Sequence, residues 1–144
     1  MVTKDSAFTC PEVKKEEFVF IAGGQIGPVR DCVTKTLKSN PGKEIHLFFG
    51  ANTKSDLNGA EELQHLSEFS NDFHMVTSLN SPSPKWKGEV GLITDVVREQ
   101  LEPERIKKCF LYGPQTMIKE TKRTLKDMGV PEEEIYHDSF QRDY

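Results

Sequence analysis

The sequence predicts a single domain of the α/β class, built around a parallel β-sheet. Five short apolar runs alternate along the chain with stretches of helical periodicity, which is the pattern of repeated β-α units. Three of these runs end at glycine, as strands that lead into tight turns do. The chain has 144 residues, of which 35% are hydrophobic and 29% charged, and this composition suits one hydrophobic core.

The first predicted strand and helix lie between residues 18 and 39. Residues 18–21 form a continuous apolar run, which is typical of a strand buried on both faces, and Gly23 and Gly24 end it. After Pro28, apolar residues recur every three or four positions as far as Leu37, which predicts a helix with proline in its first turn.

The middle of the chain repeats this pattern. Residues 44–49 predict the second strand, residues 60–66 the second helix and residues 73–77 the third strand. Residues 78–88 contain Ser-Pro-Ser-Pro and the single tryptophan, so they predict a loop.

The last third of the chain contains two more helices and two more strands. Apolar spacing over residues 93–101 and 117–128 predicts the helices, and the second helix ends at Gly129. Residues 109–111 and 135–140 predict the fourth and fifth strands.

Charge and apolar content exclude several classes of function. Nineteen basic and 23 acidic residues give a net charge of −4, so no positive field favours nucleic acid as a partner. The apolar runs are far shorter than the roughly 20 residues of a membrane span, so we expect no direct membrane insertion. Residues 1–6 lack the apolar core of a secretory signal, which predicts a cytoplasmic location.

The cysteines and histidines form no recognisable motif. Cys10, Cys32 and Cys109 are widely spaced, which predicts reduced thiols and neither a disulfide framework nor a cysteine-based metal site. The four histidines show no H-E-x-x-H pattern, so no metal site is predicted. A G-x-S-x-G hydrolase motif is also absent from the sequence.

Three turns that follow predicted strands contain the candidate binding residues, because ligands of parallel sheets bind beyond the carboxyl ends of the strands. Residues 22–28 carry glycines before a helix, which suits a pyrophosphate, although a simple tight turn explains them equally well. Residues 50–57 suit a ribose or a solvated loop. Residues 112–117 suit either a ligand edge or a plain strand-to-helix turn.

Taken together, these turns resemble the nicotinamide-nucleotide domain of the ferredoxin-NADP reductase superfamily. That family shows a G-G-x-G-I-x-P turn, a G-A-[RN] turn, a W-x-G-x-x-G segment, a C-G-P-x-x-M turn and a terminal acidic-x-F. The chain has counterparts in the same order at residues 23–28, 50–52, 86–91, 113–117 and 138–140. Within the superfamily it is similar to the NADH-oxidising flavin subunit of sodium-translocating NADH:quinone reductase and to the reductases of bacterial oxygenases.

The resemblance implies a fold and a set of site residues. The fold is a three-layer, Rossmann-like α/β domain with a five-stranded parallel sheet in the order 3-2-1-4-5. Tyr112 and Phe140 are the candidate catalytic residues, Phe140 (or the terminal Tyr144) because relatives stack a C-terminal residue on the flavin. The implied cofactor-binding residues are Gly23, Gly24, Gln25, Pro28, Ala51, Asn52, Thr53, Gly113, Pro114, Gln115 and Met117.

The chain departs from the family pattern at two places. With the two glycines matched, the turn after the first strand is one residue shorter than the family's turn, so we expect an altered phosphate site. Tyr112 stands where relatives often have a cysteine beside the path of hydride transfer. Cys109, three residues earlier on the strand, is predicted to lie in the core.

The resemblance implies a module that binds NADH or NADPH and positions the nicotinamide for hydride transfer to FAD or FMN on a separate domain. NADH is favoured, because a 2′-phosphate usually needs an arginine and the second turn offers only Lys54. The implied partners are a flavin-binding domain or subunit and a redox acceptor protein or quinone system. The alternative is a non-catalytic nucleotide-binding or partner-docking module that retains the fold.

Residues 1–144 are predicted to form one NAD(P)-binding domain, with residues 1–16 leading in from an absent flavin-binding domain. No R-x-Y-S flavin motif occurs in the chain, so the resemblance implies that turnover needs a partner. Contact with a membrane is then expected only through that partner.

Overall fold

A six-stranded parallel sheet forms the centre of the molecule. The computed structural model describes residues 17–24, 26–39, 43–57, 59–102 and 106–139. The strands are β1 (Glu17–Gly23), β2 (Glu44–Ala51), β3 (Phe73–Leu79), β4 (Glu89–Val90), β5 (Ile106–Gly113) and β6 (Ile135–Ser139). Their order across the sheet is β4-β3-β2-β1-β5-β6, and every neighbouring pair is parallel.

The predicted count of five strands is wrong. The five predicted strands are all present and keep their predicted relative order, but β4 adds a sixth strand at the edge, beside β3. It pairs only Glu89 with Ser78 and Val90 with Leu79. A strand of two residues, one of them charged, is too short to produce a periodic apolar pattern. The same pairing extends β3 to Leu79, two residues past its predicted end.

In the described part of the chain, four α-helices cover the two faces of the sheet and complete the predicted three layers. They are α1 (Gly27–Ser39), α2 (Glu61–Phe69), α3 (Ile93–Gln100) and α4 (Gln115–Asp127), with short 3-10 turns at Lys54–Leu57 and Glu132–Glu134. All four helices lie where the apolar spacing predicts them.

The core has two halves, one on each face of the sheet. Alternate residues of β1 point to opposite faces: Phe20 joins the half covered by α1 and α2, whereas Val19 and Ile21 join the half covered by α3 and α4. Because β1 is buried on both faces, the prediction of a central strand from its continuous apolar run is confirmed.

Candidate functional site

The carboxyl ends of β1 and β5 lie side by side, and a helix begins shortly after each. Helix α1 starts at Gly27 and α4 at Gln115, so the N-termini of both helices lie at this edge of the sheet. The first amides of a helix lack partners within the helix, and its dipole is positive there. Neither helix has an acidic residue in its first turn. This edge is therefore electrostatically suited to an anion such as a pyrophosphate.

The side chain of Met117 closes the gap between these two strand ends. A Cβ atom added to Gly23 would lie 2.6 Å from the Met117 sulfur, and one added to Gly113 would lie 2.7 Å from it. The sulfur therefore occupies the space that a Cβ atom would need at each position, so both positions suit glycine. The structure thus brings together three of the predicted cofactor-binding residues, from β1, β5 and α4.

Gly24 is exposed directly after β1. It has a φ of +87°, a conformation that favours glycine, and its amide donates a hydrogen bond to the carbonyl oxygen of Gly50 over 3.3 Å. Apart from chain neighbours and the backbone of α1, no heavy atom of the described residues lies within 4 Å of the Cβ position of Gly24 or of Gly27. Within the part of the chain that the structure describes, no distant side chain therefore covers these two glycines.

The turn after β2 forms a polar rim next to this edge. Ala51 ends the strand and is buried, whereas Asn52 and Thr53 are exposed. The Thr53 amide donates to the carboxylate of Asp56 over 3.1 Å, and the Asn80 side-chain amide donates to Asn52 Oδ1 over 3.2 Å. The turn is therefore held by hydrogen bonds to the residues that follow it and to the end of β3. The sequence does not indicate Asn80 as a site residue, because it lies in the predicted loop over residues 78–88 and belongs to none of the family motifs.

A groove of about 920 Å³ begins next to this rim, at Lys54. Its walls are the 3-10 turn after β2, helix α2, the outer half of β3 and the segment around Trp86. The lining residues are Lys54, Ser55, Leu57, Ala60, Glu61, Gln64, Met75, Val76, Thr77, Trp86, Lys87, Gly88 and Glu89. None of the predicted cofactor-binding residues whose side chains the structure describes lines it. The wall depends on how α2 packs beside β3, which no sequence motif indicates.

Trp86 gives the groove a fixed aromatic wall. Its indole Nε1 donates a hydrogen bond to the carbonyl oxygen of Glu89 over 2.8 Å, and the ring is half-buried. A Cβ atom added to Gly88 would lie 2.5 Å from the ring, so the indole lies directly over that residue. The W-x-G spacing of the sequence corresponds to this contact.

The structure places Tyr112 in the layer beneath α1. Its ring is nearly parallel to that of Phe20, with centroids 6.3 Å apart, and its hydroxyl forms a hydrogen bond of 3.2 Å with the thiol of Cys32. The residue is half-buried. These contacts hold the ring against the sheet, and a role beside the nicotinamide stays a prediction.

Cys109 is fully buried in the core, as predicted. Burial, with a smaller contribution from the charge of Glu134, raises the pKa of this thiol to about 12. At neutral pH it is therefore a thiol and not a nucleophilic thiolate.

Several predicted residues lie outside this description. Gln25, Phe140 and Tyr144 lie outside the described residues, as do residues 1–16, and Pro28 is described only by its position in α1. Pro114, which lies between β5 and α4, and Gln115, the first residue of α4, are both exposed. Over the described ranges, no helix combines the length and apolar character needed to cross a membrane.

Comparisons with known proteins agree with this geometry. The family model for the oxidoreductase NAD-binding domain matches residues 20–123. One component of the Na⁺-translocating NADH-quinone reductase of Neisseria meningitidis is 34% identical over 132 residues, which are 86% of this chain and 33% of the relative. The reductase component of propane 2-monooxygenase from Rhodococcus jostii is 28% identical over 140 residues, 93% of this chain and 38% of the relative.

A solved structure gives the same picture of the fold. The ferredoxin NADP⁺ reductase of Neisseria gonorrhoeae, crystallised with bound FAD and NADP, superposes with a TM-score of 0.73 at 20% identity, covering 93% of this chain and 61% of that one. The chain spans about a third of the length of the two curated relatives.

The resemblance predicted from the five sequence motifs is confirmed. The family model covers most of the sheet together with α1 to α3 and much of α4, and it includes the two glycine turns and Met117. The chain belongs to the oxidoreductase NAD-binding domain family.

Proposed function

We propose that this chain is the nicotinamide-nucleotide module of a flavin-dependent oxidoreductase. The observation that supports this most strongly is the pair of helix N-termini at the adjacent ends of β1 and β5. Both follow glycine turns, and neither has an acidic residue in its first turn. Among the described residues, no side chain other than those of chain neighbours lies within 4 Å of the Cβ positions of Gly24 and Gly27.

In this proposal the pyrophosphate of NADH lies at the Gly23–Gly24 turn, where the amides of α1 and its dipole stabilise the negative charge. The adenosine lies along Asn52 and Thr53, at the mouth of the groove beside Trp86. The nicotinamide lies on the side of Gly113 and Met117, with Pro114 and Gln115 at its rim.

The chemistry supplied by the bound nucleotide is transfer of a hydride from C4 of the nicotinamide to N5 of FAD or FMN on a separate domain. The residues of this chain bind and orient, and no acid or base from the protein is required. Met117 fills the space between the two strand ends and would help to orient the ring there. Positioning of this kind is the protein's main contribution to such a reaction.

NADH is the proposed cofactor in preference to NADPH. Lys54 is the cation next to the ribose turn, beside the neutral side chains of Asn52 and Thr53. A single exposed lysine lacks the bidentate geometry with which arginine binds a phosphate. Parallel titrations with the two nucleotides test this preference, and tighter binding of NADPH would contradict it.

The proposed partners are a flavin-binding domain or subunit and, after it, an iron-sulfur protein or a quinone system. The length of the relatives supports a further domain, because this chain spans about a third of each. We further propose a cytoplasmic location with membrane contact only through the partner. The free thiols Cys32 and Cys109 suit a reducing compartment.

The packing of Tyr112 favours a second candidate function, a module that binds nucleotide or docks a partner without hydride transfer. Tyr112 stands where relatives often have a cysteine, but its ring stacks on Phe20 and its hydroxyl bonds to Cys32, which are contacts that favour a structural role. An assay of NADH oxidation, with a flavin-binding domain present to accept the hydride, distinguishes the two functions. Binding without oxidation would favour the second.

Gly27 offers a direct test of the phosphate site. Gly27→Asp places a carboxylate in the first turn of α1, where a negative charge favours the helix. Beyond chain neighbours and the backbone of the helix, no atom of the described residues lies within 4 Å of its Cβ position. The variant should therefore fold, yet repel a pyrophosphate. We expect NADH to bind about tenfold more weakly or worse, a difference of about 1.4 kcal/mol.

Gly27→Ala is the matched control, because it adds the same Cβ without the charge. It should bind NADH within about twofold of the wild-type protein in calorimetric titration. Equal affinities of the aspartate and alanine variants would show that the pyrophosphate binds elsewhere.

A further inference from the structure

Three potential metal ligands lie together at the end of the sheet opposite the nucleotide edge. Glu44 and His46 are the first and third residues of β2, so their side chains lie on the same face of the strand. His74, the second residue of β3, is the direct cross-strand partner of His46. One ligand atom from each of the three lies within 4.8 Å of the others.

The contacts within this cluster are short. Nε2 of His46 lies 3.4 Å from Oε1 of Glu44, and the rings of His46 and His74 stack with centroids 4.8 Å apart. Glu44 and His46 are half-buried and His74 is exposed. The sheet therefore fixes two of the groups, while the third has freedom to rotate.

We propose that Glu44, His46 and His74 form a binding site for a divalent metal ion of the class represented by Zn²⁺. Imidazole nitrogens and a carboxylate oxygen are ligands that Zn²⁺ accepts, and two histidines with one glutamate leave a fourth position for water. In a tetrahedral site with bonds of about 2.0–2.1 Å, neighbouring ligand atoms are ~3.4 Å apart. That is the separation already present between His46 and Glu44.

Completing the site requires only a small movement. No two of the ligand atoms are more than 4.8 Å apart, so no separation has to shorten by more than about 1.4 Å to reach tetrahedral geometry. Because His74 is exposed, rotation of its side chain can supply this movement without disturbing the core. The metal would then lie between Nε2 of His46 and Oε1 of Glu44, in place of the direct contact between these atoms.

The site would act on the stability of the sheet and not on hydride transfer. His46 precedes Gly50 by four residues, which is ~13 Å along the strand, and the nucleotide edge lies beyond Gly50. A bound ion would join the first residues of β2 to β3 and oppose their separation. Metal binding and nucleotide binding are therefore independent, and failure of one leaves the other unaffected.

The test is a calorimetric titration of Zn²⁺ into the full, chelator-treated chain without nucleotide. We expect one equivalent to bind, and His74→Ala to weaken binding by about tenfold or more. His65→Ala is the matched control, because His65 is an exposed histidine on α2 outside the cluster. This variant should bind Zn²⁺ with the same affinity as the wild-type protein. Because residue 74 is exposed, the alanine variant should fold, and its melting temperature without metal verifies this.

Two further readouts separate this site from adventitious thiol binding. Bound Co²⁺ should give visible d–d bands without a thiolate charge-transfer band, because no cysteine belongs to the cluster. A hundredfold excess of Zn²⁺ over its dissociation constant should raise the melting temperature by ~5 °C or more in the wild-type protein and not in His74→Ala. Lack of saturable binding at ~100 μM Zn²⁺, equal affinity of His74→Ala and wild type, or a thiolate band would each overturn the proposal.

Discussion

The contact between Met117 and two glycines is the residue-scale feature on which the proposed site depends. Each glycine lies at the end of a strand, and the sulfur fills the space where their side chains would be. The sequence motif predicts that Gly23, Gly113 and Met117 belong to one site. That one side chain packs on both glycines follows from the alignment of β1 with β5, which the sequence does not contain.

This packing predicts an energetic coupling. Gly23→Ala should lower the free energy of unfolding by about 1–2 kcal/mol, because the new methyl group overlaps the Met117 sulfur. In Met117→Ala that overlap is gone, so the same glycine substitution should cost about 1 kcal/mol less there. Urea denaturation of the four proteins in this cycle measures the coupling, and additive effects would contradict the contact.

Burial of Cys109 predicts a dependence of stability on alkaline pH. The folded-state pKa is raised from 9.0 to about 12, so an unfolded chain releases this proton at lower pH than the folded protein does. The contribution of this thiol to the free energy of unfolding is fully present below pH 9, falls as the pH rises, and is lost by pH 12. Between pH 8 and 10 the loss should be about 1.4 kcal/mol.

The comparison with Cys109→Ala isolates this effect from lysine and tyrosine titration. The variant should be less stable at neutral pH because of lost packing, but its stability should fall less steeply above pH 8. Parallel slopes for the two proteins in urea denaturation from pH 7 to 10 would show that Cys109 titrates normally.

At the scale of elements, apolar periodicity predicts every helix and all but one strand. Strand β4 is missed because two residues carry no period, and because the preceding prolines indicate a loop. The pairing of β4 with β3 matters for the site, because Trp86, in the segment just before β4, lines the groove. Because the sequence does not predict β4, it does not predict the groove wall that depends on this strand.

The position of Trp86 predicts a spectroscopic signal for the adenosine end of the nucleotide. It is the single tryptophan of the chain, so its emission reports on this groove. AMP or ADP-ribose, which lack nicotinamide, should change the emission if the adenosine lies at the mouth of the groove. A change produced only by NADH would show instead that the signal comes from energy transfer to a distant nicotinamide.

The Glu44, His46 and His74 cluster shows a second limit of sequence analysis. His46 and His74 are 28 positions apart, and they meet only because the register of β2 against β3 pairs them. Parallel strands joined by a helix place distant residues together in a way that no local motif records.

At the scale of the whole molecule, the chain belongs to a family of NAD-binding domains and spans about a third of the relatives it matches. The motifs predict the fold well because three of them lie at the ends of β1, β2 and β5, where ligand and topology constrain the residue types together. They predict less about catalysis, since the flavin that would accept the hydride is proposed to lie on another domain. Nucleotide binding is thus the property that this chain should show by itself.

The most direct test of that property is a calorimetric titration of the wild-type chain with NADH. The proposed site predicts saturable binding of one equivalent, at a dissociation constant within the range of ~1 μM–1 mM that is common for the Michaelis constants of substrates. Absence of binding at millimolar NADH, with the chain folded by circular dichroism, would contradict the proposed function.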